Sequence, residues 1–225
     1  MLFCVNPGAG FCVNAVGAAL LGSEKAGSVI FVSLCISAVI TGLFASSRKK
    51  EIFRPEISMQ KSLSEIFVEG VASGASGIIN VCAFTTLFSG ILAVVSGFVG
   101  EKNAVPLACL LEITSGCASA AGKIPLPLIC AACAFGGVCV HLQIFAAAGE
   151  HKPDILKFYL FRFAHAVLSG VVCKVLIYFF PVAVPTALQL SQNAQVYSFS
   201  LPAALSLLFF SSLLILELDK QRKIC

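Results

Sequence analysis

The chain has 225 residues, of which 58% are hydrophobic and only 12% charged, with a mean hydropathy of +0.97 and a formal net charge of +4. A soluble domain carries about twice that share of charge, so the composition is that of a polytopic membrane protein whose first partner is the lipid bilayer. The surplus cations sit in short segments between apolar runs rather than in one basic patch, so they give no nucleic-acid signal.

Residues 1–22 are apolar but interrupted by Asn6-Pro7-Gly8-Ala9-Gly10, then by Asn14 and Gly17. Proline removes a backbone donor and glycine loosens the helix, so a broken or re-entrant segment is expected there. The same interruption, with no basic residue before it, argues against a cleavable signal peptide. Residues 26–46 form an uninterrupted apolar run, about 31 Å long as a helix and enough to cross a bilayer. The loop at residues 47–61 holds Arg48, Lys49, Lys50, Arg54 and Lys61 against Glu51 and Glu56. The positive-inside rule makes it cytoplasmic. Residues 62–77 place Glu65 and Glu69 on one helical face with Ile66, Phe67 and Val71 opposite. That pattern reads as an interfacial or packing helix ahead of a separate span at 78–99.

Glu112 is the only charge between Ala104 and Gly122. A carboxylate at membrane depth is costly, and marks either a solute or ion site or a paired contact inside a helix bundle. Gly116, Ser119, Gly122 and Pro125 behind it predict a helix that breaks and turns back, a re-entrant hairpin over 104–122. Further spans are predicted at 124–148, 155–180 and 201–218. If 104–122 crossed fully, the basic tail of Lys220, Arg222 and Lys223 would be external. As a hairpin it puts that C-terminus, and the loop with Lys152 and Lys157, on the cytoplasmic side with the first basic loop. The fold expected is therefore all-α and polytopic, one membrane domain over 1–225 with about five transmembrane helices plus two broken or re-entrant segments. Broken segments paired with full spans are the usual plan of secondary transporters.

Polar residues inside the later spans extend the candidate site. The run Phe135-Gly136-Gly137 permits a close backbone approach or a local break, and His141 and Gln143 follow it. His141 is either a hydrogen-bonded core residue or a site residue. Arg162 and His165 share a helical face, with Lys174 three turns further on. Arg162 either snorkels to the interface or acts as counter-ion to Glu112 or to an anionic solute. The chain has no hydrolase elbow, phosphate loop or metal-ligand spacing, so no enzyme is expected. Most of its eleven cysteines lie in apolar segments as packing residues, and Cys130-x-x-Cys133 lacks a second pair, so neither a metal nor a cofactor is expected.

Four blocks resemble a known family: Phe3–Phe11 (FCVNPGAGF), Leu110–Gly116 (LLEITSG), Phe135–Gln143 (FGGVCVHLQ) and Phe161–Ala166 (FRFAHA). They are similar, in the same order, to the YlbJ-type sporulation integral membrane proteins of the nucleoside-recognition "Gate" group, which are related to nucleoside-transporter cores. Full members carry a further membrane half before the Asn-Pro-Gly block. The resemblance therefore implies a chain lacking its N-terminal half: a fragment, a mis-called start, or a half-length homologue working as a homo-oligomer or with a partner half. It also implies a role in spore formation, moving a small solute such as dipicolinate or a nucleoside-like molecule.

Two functions follow as expectations. In the first, a secondary-transporter-like core, Asn6, Gly8, Glu112, Thr114, Ser115, His141 and Gln143 line a midplane solute site. Arg162 and His165 supply charge pairing, broken-helix N-termini offer N–H groups to an anion, and Glu112 takes a coupling cation or proton. In the second, a non-transporting membrane assembly protein of the sporulating cell, the same residues are packing and partner contacts. The two separate on whether the polar groups converge on one cavity.

Overall fold

The computed structural model describes residues 5–46, 62–148 and 154–184, together with 205–206, 208–213 and 215–216 of a C-terminal helix. The 47–61 loop, Lys152, most of the uncharged loop at 181–200 and the basic tail lie outside the described residues, as does part of the 201–218 span. The described residues are helical, with no strand among them. Among the described residues four helical stretches are long and apolar enough to cross a membrane, Glu24–Ala45, Leu63–Val99, Leu126–Ala148 and Ile155–Phe179. Their outward faces carry Phe44, Ile78, Phe98, Phe163 and Tyr178 in the open. Such a surface is stable only with lipid around it, and the protein is an all-α multi-pass membrane protein.

The chain begins with a π-helix, Gly10–Leu20, that turns at Gly22 and folds back on α1, Glu24–Ser46. A re-entrant segment was expected over 1–22; its described part, from Val5 on, contains a short helix folded back on α1. The two helices touch backbone to backbone. A Cβ on Gly17 would lie 2.7 Å from the Gly27 Cα, and one on Gly27 would collide with the Cys12 carbonyl. Small residues are what permit so close a crossing in a membrane.

Helix α2, Leu63–Val99, corrects the expected division into an interfacial helix and a separate span. It is one helix of 37 residues, about 55 Å long and so longer than a bilayer core. Ser62 and Glu65 close its start as a reciprocal capping box. The change in polarity along it shows where the apolar part begins, not where the helix ends.

Where a re-entrant hairpin over 104–122 was expected, two short helices fold on each other, with a break that lies earlier than the glycines suggested. Helix α3, Glu101–Leu111, stops at Glu112, whose φ of −144° and ψ of 119° are extended, and α4, Ile113–Ala120, starts immediately after. In a straight helix Cys109 and Gly116 would be about 10.5 Å apart along the axis. Instead a Cβ on Gly116 would lie 2.6 Å from the Cys109 Cα, so α4 folds back on α3.

The predicted span at 124–148 is discontinuous. Helix α5, Leu126–Phe135, ends at Gly136 with φ +83°, and α6, Gly137–Ala148, begins at φ +75°. Both values lie where only glycine is unstrained. The two breaks meet: a Cβ on Gly137 would sit 3.0 Å from the Leu111 carbonyl oxygen and 3.3 Å from the Glu112 nitrogen.

Helix α7, Ile155–Phe179, starts on the Asp154 cap, whose carboxylate accepts from the amides of Leu156 at 3.0 Å and Lys157 at 3.2 Å. Those bonds, with the Lys157 ammonium at 3.2 Å, hold the Asp154 carboxyl below its usual range. Helix α7 packs on α1 and α5, around a core of Ile30, Leu34, Ile129, Cys130, Cys133 and Cys173.

Candidate functional site

Glu112 is 2% exposed and caps α4 with its own side chain. Oε1 accepts from the Thr114 amide at 2.8 Å and Oε2 from the Ser115 amide at 2.7 Å. These are the orphan donors of the helix start, and the helix dipole adds to them, so the carboxylate's charge is met locally by backbone. The α4 N-terminus expected to receive an anionic solute therefore holds Glu112 instead. Among the described residues Glu112 makes no ion pair, so pairing with Arg162 does not occur in this conformation.

Glu112→Gln should consequently lower stability by about 1–2 kcal/mol, because one face of the amide would present N–H to a backbone N–H. Glu112→Asp, a better cap type, should lose less. Thermal unfolding in detergent reads both, and an equal midpoint for the Gln variant would show that the cap contributes nothing.

Arg162 does not snorkel. It is 1% exposed, and its Nη1 donates to the Val5 carbonyl at 2.8 Å. Among the described residues Nε and Nη2 have no hydrogen-bond partner. Gly136 makes room for the guanidinium, since a Cβ there would lie 2.8 Å from Nη2. A buried charge with two unspent donors costs several kcal/mol unless something else meets it.

What it faces is a cavity of about 180 Å³ where the extended N-terminal segment, both helix breaks and α7 come together. Five of the expected residues line it: Asn6, Glu112, Thr114, Gln143 and Arg162. The Oδ1 atom of Asn6 is also buried without a partner. Val5 and Gly136, with Val81 and Thr85 of α2, also line it and were not legible as site residues.

The other expected residues lie elsewhere. Gly8 is exposed, and its carbonyl accepts from the Cys12 amide. Ser115 turns its hydroxyl to Ser89 at 3.3 Å. His141 bonds through Nε2 to the Phe135 carbonyl at 2.8 Å and is ringed by Phe135, Phe158 and Tyr159 edge to face. His165 faces α1, with Nε2 3.0 Å from the Ser37 hydroxyl, which lies 2.5 Å from that of Ser169. These two histidines pin α6 and α7 rather than line the cavity. The hydroxyl partner on α1 was visible as spacing: Ser37 is the middle one of Ser33, Ser37 and Thr41, which recur every four residues.

Among the described residues no cluster of three or more His, Cys, Asp or Glu side chains could hold a metal ion. The polar groups on the cavity wall are one guanidinium fork, one carboxylate tied to backbone, and neutral amide and hydroxyl groups. No protein family, curated protein or solved structure matches the chain.

Proposed function

We propose that the chain is the solute-binding core of a secondary-transporter-like membrane protein, and that its solute is a small organic anion rather than a nucleoside. The observation that supports this is Arg162, buried against the cavity with Nε and Nη2 unpartnered. Those two N–H groups form the edge that grips a carboxylate with two parallel bonds. Glu112 is the other charged residue on the wall, and its charge is already met by two amides. Each of its oxygens keeps lone-pair capacity for a coupling cation or proton. The cavity has room for about six waters at roughly 30 Å³ each, which suits a solute below drug size. The likeness to sporulation membrane proteins makes dipicolinate, a dicarboxylate, the first solute to test and spore formation the setting.

In this reading the 47–61 loop and the C-terminus are cytoplasmic. Thiol labelling of Ser47→Cys and Ser191→Cys should react on opposite sides of the membrane, and reaction on one side would remove the five-span topology. The function itself is tested with purified protein titrated with dipicolinate. Dipicolinate at 100 times its Kd should stabilise the fold by about 2.7 kcal/mol, while a nucleoside should not. Stabilisation by the nucleoside alone would overturn the anion reading.

A further inference from the structure

A second concavity lies outside the polar site, on the flank formed by α3, α5 and α7. It is a groove of about 600 Å³, walled almost wholly by apolar side chains including Leu110, Leu128, Phe163 and Val167. Its floor is made of small residues, Ala131, Ala132 and Gly170, which bring α5 and α7 close together. Within a bilayer such a trough is filled by hydrocarbon, because nothing on its walls can hold water.

One end of the groove is different. Lys174 of α7 lines it and is exposed. Helices α5 and α7 run antiparallel there: Gly170 meets Pro127 and Ala131, and His165 lies one turn earlier beside the far end of α5. Lys123, in the turn just before α5, therefore lies toward the same end as Lys174, lining a separate hollow with Pro125 and Val184 rather than the groove itself. Lys123 is exposed as well, and neither lysine makes an ion pair among the described residues. Lys174 is five residues from the last residue of α7, about 7.5 Å of rise, so its long stem reaches headgroup level.

We infer that this groove is a binding site for one anionic phospholipid, with an acyl chain lying along α5 and α7 and the phosphate held between Lys123 and Lys174. An apolar trough alone would accept any lipid tail. Lys174 in the groove, with Lys123 at the same end of the helix pair, selects negative charge, each cation contributing about fivefold in affinity near a membrane surface. The headgroup lies at the end of α7 away from Asp154, so the site is confined to one leaflet.

Native mass spectrometry of the full chain, released from nanodiscs of equal phosphatidylglycerol and phosphatidylcholine, tests this. One phosphatidylglycerol should be retained per chain in preference to phosphatidylcholine. Lys123→Ala with Lys174→Ala should erase that preference, a change on the order of 30-fold. Both positions are exposed, so the double variant should fold. Val167→Trp, on the half-open wall, should displace the lipid with the lysines intact. Retention without preference for phosphatidylglycerol, an unchanged preference in the double-lysine variant, or a second copy of the chain in place of the lipid would each overturn the inference.

Discussion

Arg162→Met is expected to abolish solute binding while leaving the protein as heat-resistant as the native chain, or more so. The guanidinium is 1% exposed with two donors unspent, so the empty protein holds a desolvated charge that makes no ion pair among the described residues. Removing such a charge relieves several kcal/mol. Against that stands the lost bond to the Val5 carbonyl, about 1.5–3 kcal/mol for a charged donor. Methionine fills similar space in an apolar wall, so the balance is near zero or favourable. Binding behaves differently, because the bidentate grip on a carboxylate disappears with the fork, a loss of at least about 100-fold in affinity. Arg162→Lys should keep the charge but not the geometry and fall between the two. Unfolding of the Met variant with binding retained by the residual folded fraction would make Arg162 a structural clip on Val5.

The largest loss of stability is expected at the crossing of the π-helix and α1. Gly27→Leu should prevent the two from closing, at a cost of about 3 kcal/mol or more. That is a large part of a typical stability of about 5–15 kcal/mol. The reason is that the obstruction is backbone: a side chain at Gly27 meets the Cys12 carbonyl and the Val13 Cα, neither of which can rotate away. Gly74→Ala makes the control on α2, where nothing lies within 4 Å and a helix interior prefers alanine by about 0.5–1 kcal/mol. Thermal unfolding followed by size-exclusion should show opposite signs for the two substitutions. Equal midpoints for Gly27→Leu and the native chain would mean that the hairpin is open in detergent.

The spans and the hairpin were legible because they depend on composition, and the bilayer permits few solutions once a run of apolar residues is long enough. The position of the hairpin break was not. Leu111-Glu112-Ile113 reads as helix, and what stops it is contact between Gly116 and Cys109, across the turn that the break creates. The junction in α2 was misplaced for the opposite reason, a change in polarity where the backbone hydrogen bonding runs on. His141 and Gln143 were grouped because they share a helix. Two residues apart, they point about 200° from each other, so only one could face the cavity, and it is Gln143. Arg162 and Glu112 were joined as opposite charges, but each has its own partner: backbone amides for Glu112, and Val5 with the open cavity for Arg162.

The convergence of Asn6, Glu112, Gln143 and Arg162 on one solute-sized cavity is tested most directly by solute protection at Asn6. In a chain with Cys4, Cys35, Cys82, Cys109 and Cys225 replaced by Ser, the remaining cysteines are buried and inert to a polar thiol reagent. Asn6→Cys then places the reactive thiol in the cavity wall, next to the Val5 carbonyl that Arg162 holds. Saturating dipicolinate should slow its alkylation at least about tenfold, the occupancy expected well above Kd, and Arg162→Met should remove that protection. Alkylation at the same rate with and without the solute, in protein that remains folded, would contradict a binding site at this convergence.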